Sequence, residues 1–148
     1  MSETIVASKP SRTRSIAADG GVGFELILDH SAYERTPHAA SLTATLILRS
    51  PASGSVSLTF LTGQEFDVQL HDAAGTQVGL WSKGRVFADH VRTVDFKGEH
   101  KWVATMALPE THDAVHAKTY TATAFLTPSG ARPYLATVAF TVRASPVI

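Results

Sequence analysis

The chain has 148 residues, no cysteine, and 13 basic against 13 acidic side chains. That length suits one domain with a tail, the missing thiols exclude disulfides and thiolate metal sites, and a balanced charge with no basic stripe argues against a nucleic-acid partner. No apolar run approaches the ~18 residues of a spanning helix, so no membrane partner is expected.

Residues 1–21 are polar and end in Asp19-Gly20-Gly21, a hinge signal. There is no apolar stretch of the secretory kind. Arg12 and Arg14 with serine neighbours have a trace of transit-peptide composition, but a flexible cytoplasmic tail is the expectation. Order is expected from Val22. Phe24, Leu26 and Leu28 alternate with polar or small residues and predict a first strand. Residues 30–40 lose the alternation, contain Pro37, and are expected to be a long connection.

Ser41 to Arg49 predicts a second strand, with Leu42, Ala44, Leu46 and Leu48 on one face. After the loop signal Ser50-Pro51-Ala52-Ser53-Gly54, Val56, Leu58 and Phe60 make a third. Residues 60–87 then carry the densest pattern in the chain. Phe66, Val68 and Leu70 alternate with Asp67, Gln69 and His71. Gly63-Gln64 before them suits a type II′ hairpin turn. Asp72-Ala73-Ala74-Gly75 after them suits a type I turn with a glycine bulge. Thr76 to Trp81 completes a strand–turn–strand meander, broken by Ser82-Lys83-Gly84.

Residues 85–90 are ambiguous, and residues 91–96 predict a short strand. Trp102, Ala104, Met106 and Leu108 share a face of the next one. Pro109 to Ala117 is a loop. Tyr120, Ala122, Ala124 and Leu126 predict another strand, and residues 127–133 a connecting loop. Tyr134, Ala136, Val138, Phe140 and Val142 line the last. Eight or nine short strands with no convincing helix predict an all-β fold, an antiparallel β-sandwich with Greek-key connections. A closed barrel stays open, because alternation does not report closure. The domain is expected over residues 22–143, with a C-terminal tail at 144–148.

Chemistry-bearing motifs are scarce. No Gly-x-Ser-x-Gly elbow and no phosphate-cradling glycine loop occurs. His112 and His116 are four apart with Asp113 between them, but they lack the long amphipathic helix and adjacent acid of a zinc site. A solvated loop is expected there, with no metal, no cofactor and no enzymatic activity.

The 60–87 stretch resembles the BsuPI family, the intracellular proteinase inhibitor domain. The resemblance rests on Phe60, Thr62-Gly63-Gln64, Phe66-Asp67, Asp72 with Gly75, Val78, Trp81-Ser82, Gly84 and Phe87. Trp102 and Thr119-Tyr120-Thr121 extend it over about residues 41–142. One departure is Lys118, where the family has a glycine, preceded by Val115-His116-Ala117 in place of a Pro-Ala-Gly lead. The resemblance implies an immunoglobulin-like β-sandwich, a protein partner, an intracellular subtilisin-like serine protease, and a cytoplasmic location. A protease binds substrate as an extended strand, so an inhibitor needs a loop already in that shape. Residues 83–90, 109–117 and 127–133 are the candidates.

Trp81, Ser82, Lys83, Arg85 and Phe87 are the expected partner-binding residues. Each aromatic has an alternative. Trp81 is either an interface anchor or a ring packed on a neighbouring strand. Phe87 is either a pocket-filling side chain or a plug for the sandwich edge. Asp67 and Ser82 are expected to bond backbone near the turns.

Overall fold

The computed structural model describes residues 11–16, 21–130 and 134–145, the first group by backbone alone. The remainder of the expected tails and residues 131–133 of the expected 127–133 loop lie outside the described residues. Eleven strands are present and no helix occurs among the described residues. They are β1 (Ser11–Ile16), β2 (Gly23–Leu28), β3 (Ala32–Arg35), β4 (Ser41–Arg49), β5 (Ser55–Thr62) and β6 (Phe66–Asp72), followed by β7 (Gln77–Leu80), β8 (Asp89–Lys97), β9 (Glu99–Ala107), β10 (Lys118–Leu126) and β11 (Leu135–Ala144).

One sheet has the order β1-β2-β4-β9 and the other β3-β11-β10-β6-β7, with β5 and β8 as a separate pair. The long crossovers, β4 to β9 and β6 to β10, fit the expected Greek-key connectivity and are compatible with an immunoglobulin-like arrangement. The period of two sends Phe24, Leu26, Leu42, Leu46, Trp102 and Met106 inward from the first sheet. Val68, Leu70, Ala122, Leu126, Val138 and Phe140 meet them from the second. Within that sheet the small Ala122 of β10 lies between Leu70 of β6 and Val138 of β11.

Four details differ from expectation. β1 lies inside the expected lead-in of residues 1–21 and pairs antiparallel with β2. Its sequence has no alternation, so its backbone pairing with an otherwise open edge is what makes it a strand. β3 lies inside the expected connection and runs parallel to β11, so the sandwich is not wholly antiparallel. Tyr33 alone anchors it in the core. These two strands raise the count above eight or nine.

The third and fourth differences concern residues 60–66. β5 and β6 do not form a hairpin: β5 pairs with β8, whereas β6 lies between β10 and β7. Accordingly Gly63 has no positive φ and no type II′ turn forms. The chain changes sheets there, held by the bond from the Gln64 amide to Thr62 Oγ1 (3.1 Å). The second turn matches its expectation. Gly75 has φ 86°, and Asp72 Oδ1 accepts the amides of Ala74 and Thr76 at 3.0 and 2.9 Å.

Candidate functional site

The strand registers place the candidate loops at two opposite ends. Leu126 pairs with Phe66 at one end of the β6–β10 ladder and Tyr120 with Asp72 at the other. The first end carries the 63–65 turn, residues 81–88 and residues 127–130. Their joints are Gly63 N to Ala88 O (2.9 Å), Thr127 N to Glu65 O (2.9 Å) and Ser129 N to Thr59 O (2.7 Å). The second end carries the 72–75 turn and residues 109–117.

The 81–88 segment is built on β6. Asp67 belongs by alternation to the outer face, yet it is 6% exposed because this segment covers it. Its Oδ1 accepts the amides of Val68 (2.9 Å) and Ser82 (3.1 Å). Its Oδ2 accepts the Ser82 hydroxyl at 2.5 Å and Gln64 Nε2 at 3.2 Å. Every acceptor direction of a buried carboxylate is thus used, as burial of a charge requires. Next to it the Trp81 ring stacks on Phe66, centroids 4.2 Å apart and planes 26° apart. Phe87 leans on Trp81, centroids 5.9 Å apart and planes 43° apart.

The stack is worth about 0.5–1.5 kcal/mol beyond area burial, and each bond to an ionised carboxylate about 1.5–3 kcal/mol. The Asp67 bonds therefore dominate the anchoring of the segment's start. The turn closes through Lys83 N to Leu80 O (3.1 Å) and Arg85 N to Ser82 O (3.0 Å). Gly84 takes φ 79°, a conformation costly for any side-chain-bearing residue. Arg85 donates from Nε to Trp81 O (2.9 Å), and its guanidinium lies over the Trp81 ring, 4.3 Å from its centroid.

Of the five expected partner-binding residues, Trp81 and Ser82 are half-buried and turned into this support. Lys83 and Arg85 are exposed, and Phe87 is half-buried against Trp81. The alternation pattern gave no sign of the brace behind them. Glu65 accepts Trp102 Nε1 at 2.9 Å on one oxygen and Arg92 Nη2 on the other. Arg92 also donates from Nη1 to Thr62 O at 2.5 Å. Together they tie the β5–β8 pair, β9 and the 63–65 turn into one base. Gln64 was legible as a motif residue, but its bonds to Phe66 O and Asp67 were not. No sequence signal marks Arg92, whose role comes only from the β5–β8 register.

The other end is different in kind. In the 109–117 loop Asp113 Oδ1 accepts the amides of His116 (2.8 Å) and Val115 (2.9 Å). Those two bonds, His116 first, hold the Asp113 carboxyl below the usual carboxylate range. The Asp113 carbonyl accepts the Ala144 amide at 2.9 Å. His112 and His116 join no group of three or more potential metal ligands among the described residues. An open groove of about 820 Å³ lies nearby, lined by Asp72, Val78, Pro109, Glu110, Lys118 and Tyr120 among others. It is concave, whereas blocking an enzyme's cleft calls for a convex element.

The architecture defines a β-sandwich that displays a braced loop at one end. The family model described as "Intracellular proteinase inhibitor", BsuPI, matches residues 26–130, and the chain belongs to that family. No curated protein matches it. Among solved structures it is similar to Spo0M, a sporulation control protein from Bacillus subtilis, at 16% identity and a TM-score of 0.51. The match covers 85% of this chain and 51% of that one, so the chain spans about half the length of this structural relative. At that identity the likeness concerns the fold alone. No helix among the described residues is long and apolar enough to cross a membrane.

Proposed function

We propose that this protein is a non-enzymatic inhibitor of an intracellular subtilisin-like serine protease, acting in the cytoplasm through the loop at residues 81–88. One observation carries the choice of loop. The segment is anchored at both ends, at Ser82 by Asp67 and at Ala88 by Gly63. Between them, the backbone N–H and C=O of Val86 and Phe87 have no hydrogen-bond partner among the described residues. A protease cleft pairs with substrate backbone, so free backbone groups on fixed ends are what it can take.

Preorganisation supplies the affinity that a flexible peptide would lose in ordering entropy. In many small inhibitors a disulfide holds the loop; here a buried carboxylate and an aromatic stack would serve. Trp81 and Ser82 act as supports. Lys83 and Arg85 meet the enzyme's rim, and Phe87 stiffens the loop from within. Loop 109–117 is the weaker candidate because two of its amides are already used by Asp113.

A second reading is a general protein-interaction module on the same sandwich. Leu61 and Val91, 53% and 70% exposed, lie together at the bulge between β5 and β8, and such an apolar pair would suit any protein partner. Titration of the purified protein against a panel of intracellular subtilisin-like proteases separates the two. Stoichiometric loss of activity supports inhibition. Full activity at micromolar excess, with a pull-down that returns a non-protease complex, supports the module.

A further inference from the structure

Resting on the inhibitor reading above, we infer that Val86 is the side chain that fills the primary specificity pocket of the target. The enzyme inhibited is accordingly one that prefers a small or medium aliphatic residue over an aromatic or basic one.

Val86 is 96% exposed, the highest value among the large hydrophobic residues of the described surface. An isolated valine held fully in water is ordinary on a mobile loop, but this one sits on fixed neighbours. On one side Arg85 is tied through its amide to Ser82 O and through Nε to Trp81 O. On the other side Phe87 packs on Trp81, and Ala88 O accepts the Gly63 amide. Both flanking side chains fold back toward Trp81, so Val86 is the large apolar side chain that this loop projects.

The alternatives fit less well. Phe87 would have to leave Trp81 to enter a pocket, losing a contact that shapes the loop. Arg85 would have to give up its bond to Trp81 O and its place over the ring. Val115 at the far end is 76% exposed, but its amide is donated to Asp113, so it is not free to pair with a substrate cleft. Leu61 and Val91 lie within strands and do not project from a loop.

The pocket that receives this residue sets a serine protease's preference. A substrate-like inhibitor is also cut slowly at the bond after it. Here water would add across the Val86–Phe87 peptide bond, leaving a carboxylate on Val86 and an amine on Phe87.

Three proteins are titrated against proteases preferring aliphatic, aromatic and basic residues: the wild type, Val86→Asp and Phe87→Ala. Urea unfolding of each checks that the sandwich is intact. The expected result is wild-type inhibition confined to the aliphatic-preferring enzymes, with a loss of about 100-fold in Val86→Asp, the size of an interface hot spot. Prolonged incubation with the inhibited enzyme should release fragments ending at Val86, read by mass spectrometry. Unchanged inhibition by Val86→Asp, or cleavage after Phe87, would overturn the assignment and leave the inhibitor reading standing. Inhibition of no enzyme by the wild type would overturn both.

Discussion

The hydroxyl of Ser82 donates to the carboxylate of Asp67 at 2.5 Å, across a separation of 15 residues. The same carboxylate accepts the Ser82 amide. Two bonds from one residue to one buried charge set where the strand β7 ends and the display loop begins. They also explain why the Phe66-Asp67 and Trp81-Ser82 pairs occur together: the aromatics stack while the polar residues bond.

Asp67→Ala therefore removes the acceptor for four donors, Gln64 among them. We expect a loss of about 3 kcal/mol in urea unfolding. Ser82→Ala keeps its amide bond and should cost about 1.5 kcal/mol. Both should weaken any loop-borne inhibition, Asp67→Ala the more. Equal stability of the two variants would mean that the carboxylate does not organise the turn.

Gly79 gives a second test. A Cβ built there would meet Leu70, 3.0 Å from Cδ1 and 3.2 Å from Cγ. Leu70 is wholly buried in the core, so it would have to shift against packed neighbours. Gly79→Ala should cost about 1–2 kcal/mol by overpacking. A neutral result in denaturant titration would show that β7 can lift from β6.

Tyr33 sets an alkaline limit. Burial pushes its phenol above the ordinary range, and the hydrogen bond it donates to Asp29 Oδ1 (2.6 Å) pushes the same way. A raised folded-state value means that the native protein holds this proton more tightly than the unfolded chain. Its stabilisation is then full below about pH 10, the unfolded value, and is lost as pH rises toward the folded one. The urea midpoint should fall above about pH 10, and less steeply in Tyr33→Phe. Tyr120 is raised too, by burial and then by Asp72, so absorbance titration should show both phenols ionising late. An identical decline in Tyr33→Phe would contradict the assignment.

Much of the sandwich was legible from alternation, because a half-buried strand writes its period of two into the sequence. β4, β9, β10 and β11 are of this kind. β1 and β3 were not legible, since Ser11–Ile16 is polar up to its last residue and Ala32–Arg35 buries only Tyr33. The 60–66 region misled because Thr-Gly-Gln is the same signal whether the chain turns back or crosses to the other sheet. Within the loop, the identities of Trp81, Ser82 and Phe87 were readable, but their direction was not. Trp81, whose amide bonds Val68 O of β6, stacks on Phe66, a tertiary contact with no local signature.

Hydrogen exchange on the complex with an inhibited protease tests the central claim most directly. In the free protein the amides of Val86 and Phe87 have no partner among the described residues and should exchange fast. On binding, protection should rise across residues 83–90 and leave 109–117 unchanged. Protection gained at 109–117 with residues 83–90 still exchanging fast would contradict the account.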